Sequence, residues 1–392
     1  MSKLFSYAAT MALATALIAA ETVQAQEITH KIGGRVQMDW SMVDADNANM
    51  DWNATELRRL RLGVSGKVGD DVKYKVELNT NSSEDVNVED AYVQWSPKGG
   101  DWSVKLGQFK THNSLDEQTS SRFISTLERA AFTDAFEFNR RLGLAVGTSG
   151  DNYTINAGVF GDNLSTSSAE EGHAISVRAT FTPVNDDSAL VHLGASARYR
   201  KQGDTQSDFR YRQRPVSHIP SRIISTGRVA ESDVFYGVEA AAIMGQFWTS
   251  GEYGVLDANC NACASDPSFH GQYVEAGVFF GGQKTYKGGK FNRPKVDKPI
   301  TDGGMGAFSV VARYDSLDLQ DQSVNGGDLD SLVLGADWWP TKYTRIGVNY
   351  FDADANLGSS TSGLDAAFAA LVTGGITEEE VSGFNLRAQF DF

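Results

Sequence analysis

Three arginines at a strict spacing of two, Arg210, Arg212 and Arg214 in D-F-R-Y-R-Q-R-P, have the right type and pattern to hold oxyanions. In an extended backbone alternate residues share a side, so the guanidiniums would line up about 6–7 Å apart. A planar guanidinium fork binds phosphate-like oxygens bidentately. A row of similar sites lets an ion step along instead of staying bound, which conduction requires. A solvated basic loop or a lipopolysaccharide-facing patch would use the same residues. A second basic group lies in Leu57–Val68, L-R-R-L-R-L-G-V-S-G-K-V. Here Leu60, Leu62, Val64 and Val68 share one parity, and Arg59, Arg61, Ser65 and Lys67 the other. As a strand, this segment is apolar on one face and cationic on the other.

Other chemistry is poorly represented. The six histidines (His30, His112, His173, His192, His218 and His270) form no H-E-x-x-H, and no G-x-S-x-G occurs. G-G-Q-K-T-Y-K-G-G-K lacks the spacing of a phosphate-binding P-loop. Asp352-Ala353-Asp354-Ala355-Asn356 begins like a calcium loop but lacks the glycine and glutamate that complete one. Cys260 and Cys263 could be a redox pair or half a zinc site. No further ligands for zinc and no thioredoxin-like context accompany them, so a small disulfide in an exported surface loop is expected. No catalysis, metal or cofactor is expected, and no nucleic-acid partner.

The elements that must position these cations follow from alternation. Sixteen segments qualify as strands: 33–44, 57–68, 72–81, 89–97, 102–110, 140–148, 153–161, 173–183, 189–201, 232–245, 246–258, 268–281, 306–318, 327–341, 344–354 and 383–392. Short connections (69–71, 98–101, 149–152, 342–343) alternate with long ones (45–56, 111–139, 202–231, 355–382). This is the rhythm of an all-β transmembrane antiparallel β-barrel with both termini at its short-turn end. The connection 282–305 breaks the rhythm, and its pattern has no explanation from alternation. Residues 1–25 have a basic start, an apolar core and V-Q-A, so they read as a signal peptide, leaving 26–392 as the barrel. No run of about 18 apolar residues follows it. The 39 glycines and 41 aromatic residues (21 Phe, 13 Tyr, 7 Trp) suit many turns and aromatic girdles.

Inner-face parity collects Arg35 and Asp39; Arg59, Arg61 and Lys67; Lys73, Lys75 and Glu77; Lys105; Arg178; Arg198 and Arg200; and Arg313, Arg345 and Arg387. Bases outnumber acids, too few of which are present to pair them, so the lumen should favour anions despite a net charge of -15. The acids crowd into apparent loops: Asp44, Asp46 and Asp51; Asp315, Asp318 and Asp321; Asp328 and Asp330; Glu378, Glu379 and Glu380. Segment 111–139 carries Phe123, Ile124, Leu127 and Phe132 with Arg122 and Arg129, and is expected to fold into the barrel. The last strand puts Phe384, Leu386, Ala388, Phe390 and Phe392 towards lipid and Asn385, Arg387, Gln389 and Asp391 towards the lumen. It should close against strand 33–44.

The ordered series L-R-R-L-R-L, V-K-Y-K-V-E-L, E-D-A-Y-V-Q-W, V-K-L-G-Q-F-K, T-S-S-R-F-I-S-T-L-E-R and V-V-A-R-Y-D, with the last strand, resembles the phosphate-selective porins O and P of Gram-negative outer membranes. The resemblance implies a sixteen-stranded homotrimeric barrel amid outer-membrane lipid and lipopolysaccharide, with an inward third loop. It implies a cargo of phosphate or other inorganic anions. Less selective anion or polyphosphate passage is the alternative; a structural or adhesive barrel would leave the cationic lining unexplained. The constriction arginines fall on Arg58 and Arg59, a wall lysine on Lys105, the constriction serines on Ser120 and Ser121, and the central lysine position on Arg122. The ladder falls on Arg210, Arg212 and Arg214, and the supporting acid on Glu89 or Asp90. Arg61 and Lys110 stand where phosphate-type members have tyrosines, and extra cations should hold multivalent anions harder or widen the accepted set. Arg58 has outward parity and must turn inward to serve. Arg122, Arg59 and Lys105 are expected to form the tightest anion site.

Overall fold

A computed structural model describes residues 27–48, 50–80, 85–165, 169–186, 188–322 and 324–392. The expected signal peptide, residues 1–25, lies outside them. Sixteen strands form one closed antiparallel barrel. In chain order these are β1 (Ile28–Ala45), β2 (Met50–Val68), β3 (Val72–Thr80), β4 (Asn87–Trp95), β5 (Trp102–Lys110), β6 (Arg140–Ser149), β7 (Tyr153–Phe160), β8 (His173–Asn185) and β9 (Ala189–Lys201). Two strands of an inner hairpin come next, β10 (Phe209–Gln213) and β11 (Ile224–Ala230), and the wall resumes with β12 (Ser232–Met244), β13 (Phe247–Asn259) and β14 (Ser268–Phe280). A second inner hairpin, β15 (Gly282–Tyr286) and β16 (Phe291–Val296), precedes β17 (Ala307–Asp321), β18 (Val324–Thr341), β19 (Thr344–Leu357) and β20 (Glu378–Asp391). β1 pairs with both β2 and β20, so no edge remains. Among the described residues no helix is long and apolar enough to cross a membrane.

Period-two alternation builds the wall. Leu60, Leu62, Phe384, Leu386 and Phe390 face outward, whereas Arg59, Arg61, Asn385, Arg387 and Gln389 are buried inside. At the long-loop end the sense of the alternation reverses without a change of parity. There Phe235, Leu256, Leu317, Leu329, Phe351, Ala353 and Val381 point inward into an apolar core, packed with Phe132, Phe136 and Tyr211. The outward positions are acidic: Asp44, Asp318, Asp352, Asp354, Glu378 and Glu380 are exposed. The acid clusters expected to be loops are therefore strand residues, Asp46 excepted, because the strands continue beyond the hydrocarbon slab. Asp315 even faces the interior, at 4% exposure. The expected loop 45–56 is likewise mostly strand, since β1 runs to Ala45 and β2 starts at Met50.

The irregular connection 282–305 resolves into the β15–β16 hairpin, which folds back into the barrel from the short-turn end. Its tip is Lys287-Gly288-Gly289-Lys290, closed by the Lys287 amide donating to the Lys290 carbonyl at 2.9 Å. Both glycines have positive φ (61° and 78°), which a two-residue hairpin turn of this hand requires. A Cβ at Gly289 would lie 3.1–3.3 Å from Thr154, Thr180 and Arg178, so the tip also needs glycine to approach the wall. Arg178 donates to the Gly289 carbonyl at 2.6 Å, and Tyr286 and His192 share a 2.6 Å hydrogen bond. At the other end, Cys260 and Cys263 are joined by a disulfide in the β13–β14 loop.

Candidate functional site

The segment 111–139 enters the lumen as expected and is pinned along its length. It carries two short helices, α1 (Leu115–Gln118) and α2 (Ala131–Ala135). Glu252 accepts from the Ser114 hydroxyl and the Leu115 and Asp116 amides at 2.7–3.1 Å, satisfying donors that a helix start leaves unpaired. Asn349 accepts from the Leu127 amide at 2.7 Å. Arg345 donates to the Ile124 and Ser125 carbonyls at 3.0 and 2.9 Å, Arg387 donates to the Leu127 carbonyl, and Arg313 donates to the Thr126 hydroxyl at 3.0 Å. From below, Lys284 of β15 donates to the Ser125 hydroxyl.

These contacts overturn the expectation that luminal bases go unpaired. Arg178 lies on Glu239, Arg198 and Arg200 on Asp233, Arg313 on Glu275, Arg345 on Asp337 and Arg387 on Asp39. Each of these six is at most 5% exposed. They are structural posts, because acids sit within reach on neighbouring strands and the loop supplies carbonyl acceptors. Parity marks which side a residue faces, but not its counter-charge.

Open space remains along the opposite wall, between the loop and β2–β6. A cavity of about 590 Å³ is lined there by seven guanidiniums (Arg58, Arg59, Arg61, Arg129, Arg140, Arg214 and Arg222) and four carboxylates (Glu89, Glu117, Glu128 and Asp134). Seven less four leaves an excess of three positive charges among the guanidiniums and carboxylates. Polar lining of this sign in a low-dielectric wall concentrates anions.

Arg58 reaches the lumen through a β-bulge. Gln37 pairs with Arg59 and Met38 with Leu57, so Arg58 is the extra residue on its strand. The bulge lets two consecutive arginines face the same cavity, resolving the parity conflict. Arg58 donates to Glu128 through Nε and Nη2 at 2.9 and 2.8 Å, and Arg59 donates to Gln37 at 2.9 Å. Burial opposes the Glu128 charge, but Arg58, Arg59 and Arg387 outweigh it and hold that carboxyl well below the usual range.

Arg61 and Lys110, the two cations expected at tyrosine positions, each have their own acid. Arg61 contacts Glu89 at 2.7 Å and Glu77 at 3.3 Å, and Lys110 contacts Glu117 at 2.8 Å. Their expected extra grip on multivalent anions is correspondingly reduced. Glu89 also contacts Arg140 at 2.5 Å, and Asp90 pairs with Lys75 and Arg140 at 2.6 and 2.7 Å, so both candidate acids organise cations. Arg122, Arg59 and Lys105 are not gathered around one point. Arg122 shares Asp391 with Arg293, whereas Lys105 lies over the Tyr92 and Phe109 rings at 4.8 and 5.0 Å. Ser121 accepts from Arg35 at 2.6 Å, and Ser120 accepts from Arg122 at 3.3 Å. Of Arg122, Arg59, Lys105, Ser120 and Ser121, only Arg59 lines the cavity.

Above the cavity, the arginine triplet lies on and just beyond β10. Phe209, Tyr211 and Gln213 are buried, while Arg210, Arg212 and Arg214 are half-buried on the other side. Arg210 donates to Ser362 at 3.3 Å, Arg212 to the Gly363 carbonyl at 3.2 Å, and Arg214 to the His218 and Pro220 carbonyls at 2.6 and 3.0 Å. Burial, then repulsion from Arg222, brings Arg214 down to about 10. Arg222 itself pairs with Asp134. Sequence reasoning placed Arg129 on the inward segment without assigning it to the site, and missed Arg140, Arg222, Glu117, Glu128 and Asp134. All lie in loops or at a loop–strand junction, where parity has no meaning; the Arg140-Arg141 pair, which echoes Arg58-Arg59, was the available signal for one of them.

Among known proteins, an uncharacterized protein of Caulobacter vibrioides is 36% identical over 337 residues, covering 82% of this chain and 67% of its own. Porin O of Pseudomonas aeruginosa is 28% identical over 413 residues, covering 94% of this chain and 89% of its own. Among solved structures, the anion-selective porin of Comamonas acidovorans shares the fold with a TM-score of 0.61 at 13% identity, over 93% of this chain and all of that one. The trimer form of Vibrio cholerae OmpT does so with a TM-score of 0.58 at 12% identity, over 94% of this chain and all of that one. The family model of the phosphate-selective porins O and P matches residues 31–392, so this sixteen-stranded barrel of the Gram-negative outer membrane belongs to that family.

Proposed function

We propose that the protein is a passive channel for anions, with phosphate or a related oxyanion as its principal cargo and no catalysis. The observation that carries this reading is the excess of three guanidinium charges around the cavity, with the arginine triplet above it. Ions would be drawn down Arg210, Arg212 and Arg214 and handed to Arg58, Arg59 and Arg61. Each site is tempered by a carboxylate, a carbonyl or, at Arg210, the Ser362 hydroxyl, so binding stays weak enough for release. The acids beside Arg61 and Lys110 favour phosphate over polyphosphate. The family's name and that of the Comamonas porin support anion selectivity. We propose a homotrimer, the form named for one OmpT structure, with lipid and lipopolysaccharide around its outer face. We further assign residues 1–25 to an export signal.

Reconstitution into planar bilayers tests the reading. The reversal potential in a chloride-salt gradient should have the sign of an anion channel, and added phosphate should block chloride current with saturation. Cation selectivity would refute the function while leaving the fold intact. Anion selectivity without phosphate block would leave a general anion porin.

A further inference from the structure

We infer that Glu128 is a tethered anion that occupies the constriction's arginine fork, and that a passing oxyanion moves by exchange with it. This rests on the reading of the barrel as an anion channel and names the residue that sets how tightly its narrow site holds cargo.

The geometry is that of a bound ligand. Glu128 takes the Nε and Nη2 edge of Arg58 at 2.9 and 2.8 Å, accepts from Arg387 at 2.7 Å and lies 3.7 Å from Arg59. That edge is the one a guanidinium offers to phosphate, and a carboxylate presents two oxygens to it in a matching way. The side chain borders the cavity and is 18% exposed, so incoming solutes can reach it.

Holding the loop does not require this carboxylate. The backbone before it is fixed by Asn349 on the Leu127 amide and by Arg387 and Arg345 on the Leu127 and Ser125 carbonyls, and the backbone after it by Asp116, which accepts from the Ala130 amide at 2.8 Å. Arg387 has its own counter-ion, since Asp39 accepts from its Nε and Nη2 at 2.7 and 2.6 Å. Arg58, by contrast, has Glu128 as its ion-pair partner. The Glu128 charge is therefore directed at Arg58, whose bidentate edge borders the cavity. A tethered competitor is present at high local concentration and returns as soon as the mobile ion moves on. It weakens binding without removing the cation, which a conducting site needs.

The experiment compares wild type with Glu128→Gln in the same bilayers, using inorganic phosphate as the probe and the heat-modifiable gel shift of folded barrels as the assembly check. Glutamine keeps the size and one acceptor but removes the charge. The concentration of phosphate that halves chloride current should fall at least about tenfold, equal to ~1.4 kcal/mol. The anion-to-cation permeability ratio should rise. An unchanged or increased half-blocking concentration overturns the inference, as does a conductance gain for both ion signs with lost selectivity, which marks a loosened loop. If Glu128→Gln does not assemble, Glu128→Asp keeps the charge on a shorter reach and should shift block in the same direction by less; no shift overturns the proposal. If wild type is anion-selective but not blocked by phosphate, the phosphate reading fails alone. The chloride permeability ratio of Glu128→Gln then still decides whether Glu128 competes.

Discussion

Replacing Arg345 with methionine separates arginines that hold the lumen together from those that face the passage. Arg345 is 1% exposed and Asp337 7%. Its Nε donates to Asp337 at 2.6 Å, and its two remaining nitrogens donate to the Ile124 and Ser125 carbonyls at 3.0 and 2.9 Å. Methionine keeps much of the aliphatic length but leaves Asp337 with the Ser309 hydroxyl, at 3.1 Å, as its remaining partner. Removing one member of a buried ion pair costs about 3–5 kcal/mol, chiefly because the other charge is stranded. The two carbonyl contacts fall within that figure and are not added to it.

The double variant Arg345→Met with Asp337→Asn should therefore recover a large part of the loss, since no stranded charge remains. Urea unfolding of the folded barrel in lipid, followed by the gel shift, measures both. The decisive companion measurement is the reversal potential. The Arg345–Asp337 pair carries no net charge, so the double variant, which removes both charges, should keep its anion selectivity within error even though the single variant is destabilised. Lost selectivity with unchanged stability would show that this arginine faces the moving ions, and the division of the lumen into a structural and a conducting half would be wrong.

Two further outcomes follow from the conducting half. Replacing Arg210, Arg212 and Arg214 together with alanine should lower anion conductance several-fold near 0.01 M salt and converge on wild type near 1 M, because the screening length falls from about 30 Å to about 3 Å; a deficit that persists at 1 M would mean a blocked mouth instead of a lost ladder. Lys290, at the tip of the inner hairpin, is brought down to about 8 by burial and then by Lys105 and Arg178. A lysine is charged below its pKa, so raising the pH from 7 to 9 should remove the Lys290 charge and reduce anion permeability, and Lys290→Met should flatten the profile by that contribution, leaving the part due to Lys284, which burial also brings down to about 8. A flat wild-type profile would remove Lys290 from the passage.

All sixteen wall strands are legible as alternation, and β5 and β9 coincide with the segments 102–110 and 189–201 from end to end. What alternation hides has particular causes. The strand ends around Asp318, Asp328, Asp352 and Glu380 look like loops because their outer face meets water and their inner face meets packed loops, inverting the usual membrane pattern. β10–β11 and β15–β16 are hairpins inside a barrel, with neither a lipid face nor a uniform core face. The Gly288-Gly289 turn of β15–β16 is nonetheless a local hairpin signal that alternation alone does not use.

The candidate site was legible by residue type and illegible by balance. Arg58, Arg59, Arg61 and Arg214 do meet in one cavity, although Arg58 arrives through a bulge that shifts parity by one residue. The six buried arginines from Arg178 to Arg387 look the same in a parity count, yet their charges are spent on Glu239, Asp233, Glu275, Asp337 and Asp39. The difference between the two sets is made by the inward loop, which leans on one wall and brings Glu117, Glu128 and Asp134 towards the other. Selectivity therefore depends on a subtraction, seven guanidiniums less four carboxylates, in which three of the negative charges come from a loop that strand periodicity cannot place. A relative could keep every wall arginine and still change its cargo by altering that loop alone.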